Sequence, residues 1–351
     1  MTPMITQVTI PSLVRVESAA IDRLGLYLKR SEHTPVLLLV SQGLVPDYLG
    51  RVHRSLAQHG IDCLETVEVG DASFENAMEV FTRLPKKVKA IVGLGGGKAL
   101  DVAKYVAFLA RLPYYAVPTS LSNDGFSSPQ SSLTIAGRRR SLAAALPFAV
   151  VLDLDVCQGA PRPLWLSGVG DLVSKLTAIF DWKLAFFRRG EPVNDFAALL
   201  SDATVYQFLA QPSFDLDGAR LLGTALLFNG IAMEICGSSR PASGSEHLIS
   251  HALDAISKRP RLHGLQVGVA TYLISRVQKN QSERIANLFD HVEFWSEIRS
   301  DPFSLREWRE ALHLAPTIKE DFYTILSEEG AVAEAEKVLD QDPRLAGCFI
   351  G

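Results

Sequence analysis

Cysteine is scarce in this chain of 351 residues, and the four that occur are scattered at positions 63, 157, 236 and 348. No Cys-x-x-Cys pair is present, so the spacing favours free thiols in a reducing compartment over a disulfide framework or a cysteine metal site. The first residues also lack a basic segment followed by an apolar run, which is the pattern of a secretory signal. Together these absences predict a cytoplasmic protein.

Excess positive charge and long apolar runs are missing as well. Lys and Arg number 35 against 39 Asp and Glu, and the longest basic run, residues 138–140, is predicted to be a solvated turn. This balance argues against a nucleic-acid partner. The most apolar window, residues 221–233, contains Asn229 and is too short to cross a bilayer. It predicts a buried helix and no membrane insertion.

Hydrophobic periodicity divides the chain into two parts. Five short apolar runs predict strands, at residues 35–40, 63–69, 88–93, 114–117 and 148–154. Helical patterns lie between the first four, at residues 45–59, 74–84 and 99–110. This alternation predicts βαβ units and a parallel sheet. Beyond residue 163 the pattern is mostly helical, at residues 171–187, 195–209, 219–235, 245–256 and 266–277. With a boundary rich in Gly and Pro at residues 157–163, the sequence predicts an α/β domain over 1–160 and a helical domain over 161–351.

A glycine turn follows the third predicted strand, at Gly95, Gly96 and Gly97. It is not the dinucleotide fingerprint Gly-x-Gly-x-x-Gly, and it is not a P-loop, because Lys98 is followed by Ala99 instead of Ser or Thr. The amides at the start of the next helix still form a ready anion site. The alternative is a tight connection between strand and helix that binds nothing.

A second polar stretch, residues 117–129, follows the next predicted strand. It supplies the hydroxyls of Thr119, Ser120, Ser122 and Ser128 and the carboxylate of Asp124. Because ligands bind beyond the carboxyl ends of parallel strands, both stretches are candidates for one binding site. The alternative is that Asn-Asp-Gly forms an ordinary turn whose side chains cap their own backbone.

Three of the eight histidines are concentrated, at His247, His251 and His263. His247 and His251 are four residues apart on a predicted helix and share a face, and the segment lacks the glutamate of His-Glu-x-x-His. Asp171 precedes Lys175 by one helical turn. One Asp and two His form a sound catalytic zinc set that leaves a position open for substrate. The alternative is two structural histidines and an aspartate that caps a helix.

In their order and spacing these motifs resemble those of the iron-containing alcohol dehydrogenase and dehydroquinate synthase-like superfamily, and most specifically its sn-glycerol-1-phosphate dehydrogenase group. The resemblance covers roughly residues 35–275 and is carried by GGGKALDVAKYVAF, VPTSLSNDGFSSPQSS, SGVGDLVSKLTAIFDW, SSRPASGSEHLISHALD and HGLQVGV. It implies a Rossmann-like parallel-sheet domain followed by an all-α domain.

The resemblance also assigns residues. It implies metal ligands at Asp171, His247 and His263 instead of at the helical pair. The implied dinucleotide contacts lie in the two stretches that follow strands: Gly95, Gly96, Gly97, Lys98, Asp101, Thr119, Ser120, Ser122 and Ser128. The glycine turn is thereby identified as a cradle for the pyrophosphate of NAD(P).

The implied activity is a metal-dependent, NAD(P)-linked interconversion of dihydroxyacetone phosphate and sn-glycerol 1-phosphate. Asp124 and His251 match residues that contact substrate, and Lys175 is expected to balance its charge. Zinc is the expected metal, with iron and nickel as alternatives, and the expected assembly is a homo-oligomer. A sugar-phosphate cyclase and a non-catalytic nucleotide-binding protein are the alternative functions.

Two positions depart from the pattern of the family. The usual His-Gly-Glu-Gln has Leu265 in place of the acid, and the usual Ser-His-Asp-Gly has Asn123 in place of histidine. The loss of the acid is expected to change the groups that orient a metal ligand.

Overall fold

The computed structural model describes residues 8–259 and 261–351. The very start of the chain, on which the prediction of no secretory signal depends, lies outside the described residues. The chain forms two compact units. The first contains the described residues up to Ser120 together with Gly125–Gly159, and the second contains Leu121–Asp124 together with Ala160–Gly351.

The first unit is built on a six-stranded parallel sheet. Its strands, in spatial order, are β1 (Leu13–Glu17), β8 (Ala149–Asp153), β5 (Tyr114–Pro118), β4 (Ala90–Gly95), β2 (Val36–Ser41) and β3 (Cys63–Val69). Every residue of β4, β5 and β8 is buried. Continuous apolar strands of this kind are typical of parallel sheets that are covered on both faces. The parallel sheet predicted from the sequence is therefore confirmed.

Four helices lie between consecutive strands of the sheet: α1 (Leu24–Arg30), α2 (Pro46–Gln58), α3 (Phe74–Thr82) and α4 (Gly97–Ala110). A fifth, α5 (Leu154–Gln158), follows β8. Short 3₁₀ helices lie at Ala20–Arg23 and Asp124–Ser127. A continuous hydrophobic core forms where α1 and α2 pack on the sheet. Its members include residues of α1, α2 and β2, namely Leu24, Leu28, Val52, Leu56, Val36, Leu38 and Val40.

One segment of the first unit differs from the sequence-based expectation. Residues 138–140 are not a turn: they begin the exposed strand β7 (Arg138–Ala143), which pairs antiparallel with β6 (Gln130–Ile135). The turn lies just before them, at Ala136 and Gly137, which both have positive φ. Main-chain pairing with β6 forms this strand although its side chains are exposed, which is why hydrophobic periodicity gives no sign of it.

The second unit is mainly helical, as predicted. Its helices are α6 (Arg162–Val173), α7 (Lys175–Arg189), α8 (Asp195–Ala210), α9 (Leu216–Cys236), α10 (Ser245–Ile256), α11 (His263–Gln278), α12 (Ser282–His291), α13 (Phe294–Ser300), α14 (Leu305–Leu314) and α15 (Ala331–Gln341). Short 3₁₀ helices lie at Ala315–Thr317, Ile325–Ser327 and Pro343–Leu345, and two-residue strands β9 (Phe303–Ser304) and β10 (Phe349–Ile350) pair in parallel.

The single helix expected over residues 171–187 is wrong. The structure has two helices there, separated at Ser174, whose hydroxyl donates to the carbonyl of Asp171 at 2.7 Å. Asp171 therefore lies in the last turn of α6 and does not cap a helix start. No Gly or Pro marks this break, so the sequence pattern runs through it.

Helix α9 is the one described helix that is long and apolar enough to cross a membrane by length and composition. Of its most apolar window, 56% is buried inside the structure. This burial matches the prediction of a buried helix over residues 221–233.

Candidate metal and catalytic site

Close contact between α6 and α11 positions two of the predicted metal ligands. A Cβ added at Gly170 would lie 2.0 Å from the carbonyl oxygen of Gly264, and one added at Gly264 would lie 1.8 Å from that of Ser167. Only glycine permits main chains to approach this closely. The contact brings Asp171, in the last turn of α6, near His263, the first residue of α11.

Helix α10 supplies the third residue of the cluster. His247 lies in its first turn and is buried, with Nε2 at 3.4 Å from Oδ1 of Asp171. One ligand atom from each of Asp171, His247 and His263 can be chosen so that all three lie within 4.8 Å of one another. Two imidazoles and a carboxylate at this spacing are the donor set of a catalytic zinc-type site.

Hydrogen bonds fix the orientation of both imidazole rings. Nδ1 of His247 lies 2.9 Å from Oε1 of Glu246, and this carboxylate also accepts from the amide of Gly244 and the hydroxyl of Thr177. An ionised carboxylate can only accept, so Nδ1 of His247 carries the proton and Nε2 has the lone pair. Histidine ligands of metals are commonly held in this way.

The hydroxyl of Ser250 fixes the orientation of the His263 ring. Ser250 donates its proton to Oε1 of Gln266 at 2.9 Å, so it accepts from Nδ1 of His263 at 3.1 Å. Nε2 of His263 is then the lone-pair nitrogen. Both rings are in the form that binds a metal ion, and the residues therefore fit a divalent cation. Leu265, at the position of the family's usual acid, is buried, and a hydroxyl orients the ring of His263 instead.

Buried charges surround the cluster. Nζ of Lys175 lies 3.1 Å from Oδ2 of Asp124 and 3.5 Å from Oδ1 of Asp171, and it donates to the carbonyl of Ala242 at 3.1 Å. The amide of Asp124 donates to Oδ2 of Asp171 at 2.8 Å. The structure thus brings together three of the predicted site residues, although Asp124 is distant in sequence and Lys175 lies on a different helix from Asp171.

These contacts determine the ionisation of Asp124, Asp171 and Lys175. Burial opposes the charge of Asp171, but the ammonium of Lys175 holds the pKa of Asp171 well below its ordinary value. Burial and the neighbouring charge of Asp171 raise the pKa of Asp124. Burial acts against the ammonium of Lys175, but the two carboxylates overcome this and raise its pKa. The group is therefore a lysine ammonium shared between two carboxylates of unequal acidity.

The third histidine of the sequence motif lies beside the cluster. The ring centroid of His251 is 6.4 Å from that of His247 and 6.0 Å from that of His263. His251 is close enough to reach a molecule bound at the cluster, and it is not one of the three residues that could hold a metal ion.

The glycine turn of the first unit lies at the carboxyl edge of the sheet. Gly95 ends β4, Gly96 precedes α4 and Gly97 begins it. The amide of Gly96 donates to Oγ of Ser41 at 2.9 Å, and a Cβ at Gly95 would lie 2.2 Å from the same oxygen. Gly97 and Lys98 are exposed in the first turn of α4. The start of this helix therefore presents main-chain amides beside an exposed lysine.

The polar stretch after β5 adjoins this turn. Thr119 and Ser120 follow the strand, and the amide of Thr119 donates to the carbonyl of Gly95 at 3.0 Å. Ser128 is buried, and its hydroxyl accepts from the amide of Gln130 at 3.1 Å. These three predicted cofactor residues thus belong to the same unit as the glycine turn.

Ser122 has different surroundings from the other predicted cofactor residues. It belongs to the second unit, where its carbonyl accepts from the hydroxyl of Ser167 at 2.8 Å. Ser167 also accepts from the amide of Gly264, so Ser122 is tied to the contact between α6 and α11.

Asp101 faces the interior of the first unit. It is 7% exposed, lies 3.6 Å from Nζ of Lys104, and has its pKa raised by burial. Lys104 in turn donates to the carbonyls of Gly125 and Gln130. Asp101 therefore pairs with the lysine whose hydrogen bonds fix the position of the polar stretch after β5.

Sequence reasoning missed two acids. Glu246 directly precedes His247, and a carboxylate beside a candidate metal ligand is the signal that could have identified it. Asp71 follows β3, which pairs with β2. Hydrogen bonds from Ser73 and the charge of Lys98 lower the pKa of Asp71. Its place beyond a strand end of the dinucleotide-type sheet is the signal that could have identified it.

Comparison with known proteins defines the class. Residues 15–161 match the family model described as iron-containing alcohol dehydrogenase. A solved glycerol dehydrogenase from Schizosaccharomyces pombe superposes with a TM-score of 0.76 at 20% identity, covering 95% of this chain and 90% of the other. An iron-containing alcohol dehydrogenase from Thermotoga maritima has a TM-score of 0.67 at 17% identity, with 95% and 98% covered. The chain has the fold of the iron-containing alcohol dehydrogenases.

Sequence similarity narrows this class. The glycerol-1-phosphate dehydrogenase [NAD(P)+] of Aeropyrum pernix is 35% identical, covering 95% of this chain and 96% of the relative. The enzyme of the same name from Metallosphaera sedula is 34% identical, with 94% and 96% covered. The chain belongs to the glycerol-1-phosphate dehydrogenase family.

Proposed function

We propose that this protein is a metal-dependent, NAD(P)-linked oxidoreductase that interconverts dihydroxyacetone phosphate and sn-glycerol 1-phosphate. The observation that carries the proposal is the cluster of Asp171, His247 and His263, with both rings oriented so that a lone-pair nitrogen is available. The names of the relatives support the choice of substrate and cofactor. The first unit is the proposed dinucleotide-binding domain and the second the proposed metal and substrate domain, in a cytoplasmic homo-oligomer.

Asp171, His247 and His263 would hold the metal ion. Zinc is the proposed metal, and iron and nickel also suit one carboxylate and two imidazoles. When both groups are bound, the cation polarises the oxygen of the substrate and the nicotinamide carries the hydride. Glu246 and Ser250 keep the two imidazoles in their binding orientation.

The surrounding residues position the substrate and move the proton. Asp124 contacts the substrate, and Lys175 holds its carboxylate beside that of Asp171. His251 gives a proton to the substrate oxygen during reduction and takes it back during oxidation, as a general acid and base. Ketone, hydride and proton together give the alcohol.

The start of α4 is the proposed cradle for the pyrophosphate of the dinucleotide. The first main-chain amides of a helix have no partner within it, and the helix dipole also favours an anion there. Lys98 adds a positive charge. The hydroxyls of the second polar stretch offer further contacts, at Thr119, Ser120, Ser122 and Ser128. Asp101 supports this region from inside through Lys104.

The proposal is tested by following NAD(P)H oxidation with dihydroxyacetone phosphate after the purified protein has been loaded with Zn²⁺. Steady consumption of NAD(P)H that stops when a chelator is added is the expected result. A cyclase would use the dinucleotide transiently and show no net consumption. Inactivity across a panel of phosphorylated ketones and polyols would overturn the proposal.

A further inference from the structure

A separate cavity lies in the helical unit, lined by residues that none of the motifs above includes. It has a volume of about 490 Å³, and its lining includes Arg189, Glu191, Lys319, Asp321, Phe322 and Tyr323. This volume is in the range of small-molecule binding sites.

Lys319 is the central cation of this cavity and is half-buried. Its Nζ donates to Oγ of Ser239 at 3.1 Å and lies 4.5 Å from the centre of the Phe322 ring. Among the described residues, no carboxylate lies within ion-pairing distance of this ammonium. A partly shielded ammonium held by a hydroxyl and a ring lacks a counter-ion.

Glu191, an acid of the cavity lining, does not supply that counter-charge. Arg240 also packs on the Phe322 ring, 3.7 Å from its centre, and is itself paired with Glu191 through two hydrogen bonds. The carboxylate of Glu191 is therefore already used by a guanidinium. This pairing leaves Lys319 without an ion-pair partner among the described residues.

The mouth of the cavity adds one more cation and one acid. Arg189 is exposed and stacks over Tyr323, 4.9 Å from the ring centre. Asp321 is exposed, and within the described part of the chain it forms no ion pair with Arg189 or Lys319. Apart from Glu191, which is paired with Arg240, the described lining therefore offers Arg189 and Lys319 one carboxylate, that of Asp321, and solvent screens its charge.

One loop connects this cavity to the Asp-His-His cluster. Ser239, which contacts Lys319, is followed along the chain by Ala242, whose carbonyl accepts from Lys175. The same segment leads to Glu246, which orients His247. A ligand that reaches Lys319 therefore lies at the other end of the loop that supports the cluster.

We propose that this cavity binds a phosphate monoester dianion, with Lys319 as its inner contact and Arg189 at its mouth. A dianion supplies the missing counter-charge, and ammonium-to-phosphate hydrogen bonds are among the strong ones. The phosphate of the substrate and free phosphate share this chemistry. Assigning the site to the substrate rests on the proposed function, whereas binding of the anion does not.

The first experiment measures binding of inorganic phosphate by calorimetry, without substrate or dinucleotide. Lys319→Met is expected to weaken binding about 10- to 100-fold, and Lys319→Arg is expected to retain it. Lys337→Met, at an exposed lysine of α15, is the matched control and should bind like the wild type. Equal affinity of Lys319→Met and wild type, or no binding by the wild type, overturns the proposal.

The pH dependence of phosphate binding gives an independent readout. Burial and the charge of Arg240 lower the pKa of Lys319 to about 8, with Glu246 acting in the opposite direction. Binding should weaken as the pH rises above this value, because the ammonium loses its proton while phosphate remains a dianion.

The other charged or titratable groups that line the cavity are Arg189, Glu191, Asp321 and Tyr323. Lys319→Arg leaves all of them in place and should remove the loss of binding just above pH 8, since a guanidinium stays charged there. Persistence of the same pH dependence in that variant would contradict the assignment to Lys319.

A kinetic experiment distinguishes the two sources of phosphate. If the site holds the phosphate of the substrate, inorganic phosphate competes with dihydroxyacetone phosphate, and Lys319→Met raises KM for that ketone but not for dihydroxyacetone. Non-competitive inhibition would instead assign the cavity to free phosphate. If the protein has no dehydrogenase activity, the calorimetric result still stands, so the two proposals fail separately.

Discussion

The two units offer a ligand different kinds of chemical group. In the first unit these groups are main-chain amides and small hydroxyls at strand ends. Because Gly97 has no side chain, nothing of its own covers the amides at the start of α4. In the second they are the ionisable side chains of Asp171 and His247, which are buried, and of His263, which is partly buried. A substitution that adds side-chain atoms should therefore impair binding at the first unit's site. A substitution that removes side-chain atoms should impair binding at the second unit's site.

The largest expected effect is the loss of one proposed metal ligand. His263→Ala should abolish metal binding and lower kcat/KM about a thousandfold or more, because the cation contributes several kcal/mol to stabilising the transition state. Metal analysis and circular dichroism check metal content and fold. His313→Ala, at an exposed histidine of α14, is the control. A full metal complement in His263→Ala would make His251 the better ligand.

Asp124→Asn should have the second-largest effect on activity. It removes a carboxylate from Lys175, and we expect kcat to fall about 100-fold, the scale of a positioned polar contact in a transition state. The affinity for NAD(P)H, measured by fluorescence titration, should change little. Normal kcat with weakened dinucleotide binding would place this carboxylate on the cofactor instead.

A pair of glycine substitutions separates the two units directly. Gly170→Ala forces a Cβ to 2.0 Å from a main-chain oxygen and should cost about 2–4 kcal/mol of stability, as overpacking and backbone shifts do. At Gly97 an added Cβ meets nothing within 4 Å. Gly97→Ala should therefore keep its melting temperature but bind NAD(P)H more weakly. Unchanged NAD(P)H affinity in Gly97→Ala would show that no part of the dinucleotide approaches this turn.

Glu246→Gln tests the residue that orients a proposed metal ligand, His247, and leaves the ligand itself in place. The loss of the carboxylate that orients His247 should weaken metal affinity about 10- to 100-fold, the usual effect of such partners. Competition with a chelator measures this affinity. Glu334→Gln, at an exposed acid of α15, is the matched control. If Glu246→Gln binds metal as tightly as the wild type, the remaining contacts of His247 are enough to orient its ring.

The smallest expected effect concerns the choice of dinucleotide. Ser41 and Gln42 lie at the end of β2, the nearest acid in the following sequence is Asp47, and neither a carboxylate nor a cation occupies that turn. An acid about 4 Å from a 2′-phosphate would cost roughly 4 kcal/mol at an effective dielectric near 20. We expect NADH and NADPH to differ by less than about a hundredfold in kcat/KM.

A larger ratio in either direction would show that a group outside this turn decides the preference. Asp71, beyond β3, is then the first candidate for NADH selectivity, and Asp71→Asn should reduce the ratio. Arg51 and Arg54 on α2 are candidates for NADPH selectivity. Arg51, however, is paired with Asp22 and Asp153.

The sheet was predictable from sequence because its strands are continuous apolar runs between turns, as residues 36–41 and 90–95 show. The hairpin of β6 and β7 was not, since its second strand exposes three arginines and depends on main-chain pairing. The motifs named the residues that meet in the cluster, but not the contact between α6 and α11 that brings them together. The role proposed for Lys319 was not predictable from the sequence, because its surroundings depend on Arg240 and Phe322. Only the tertiary structure places these two residues beside it.

The contact between α6 and α11 has a consequence for how such a site can be altered. Main-chain atoms at Gly170 and Gly264 set the spacing of Asp171 and His263, so this spacing does not depend on the size of nearby core side chains. A designer can therefore reshape the walls around the cluster while the distance between Asp171 and His263 stays the same. The two glycines should be kept in such a redesign, and new substrate preferences can be explored around them without moving these two side chains apart.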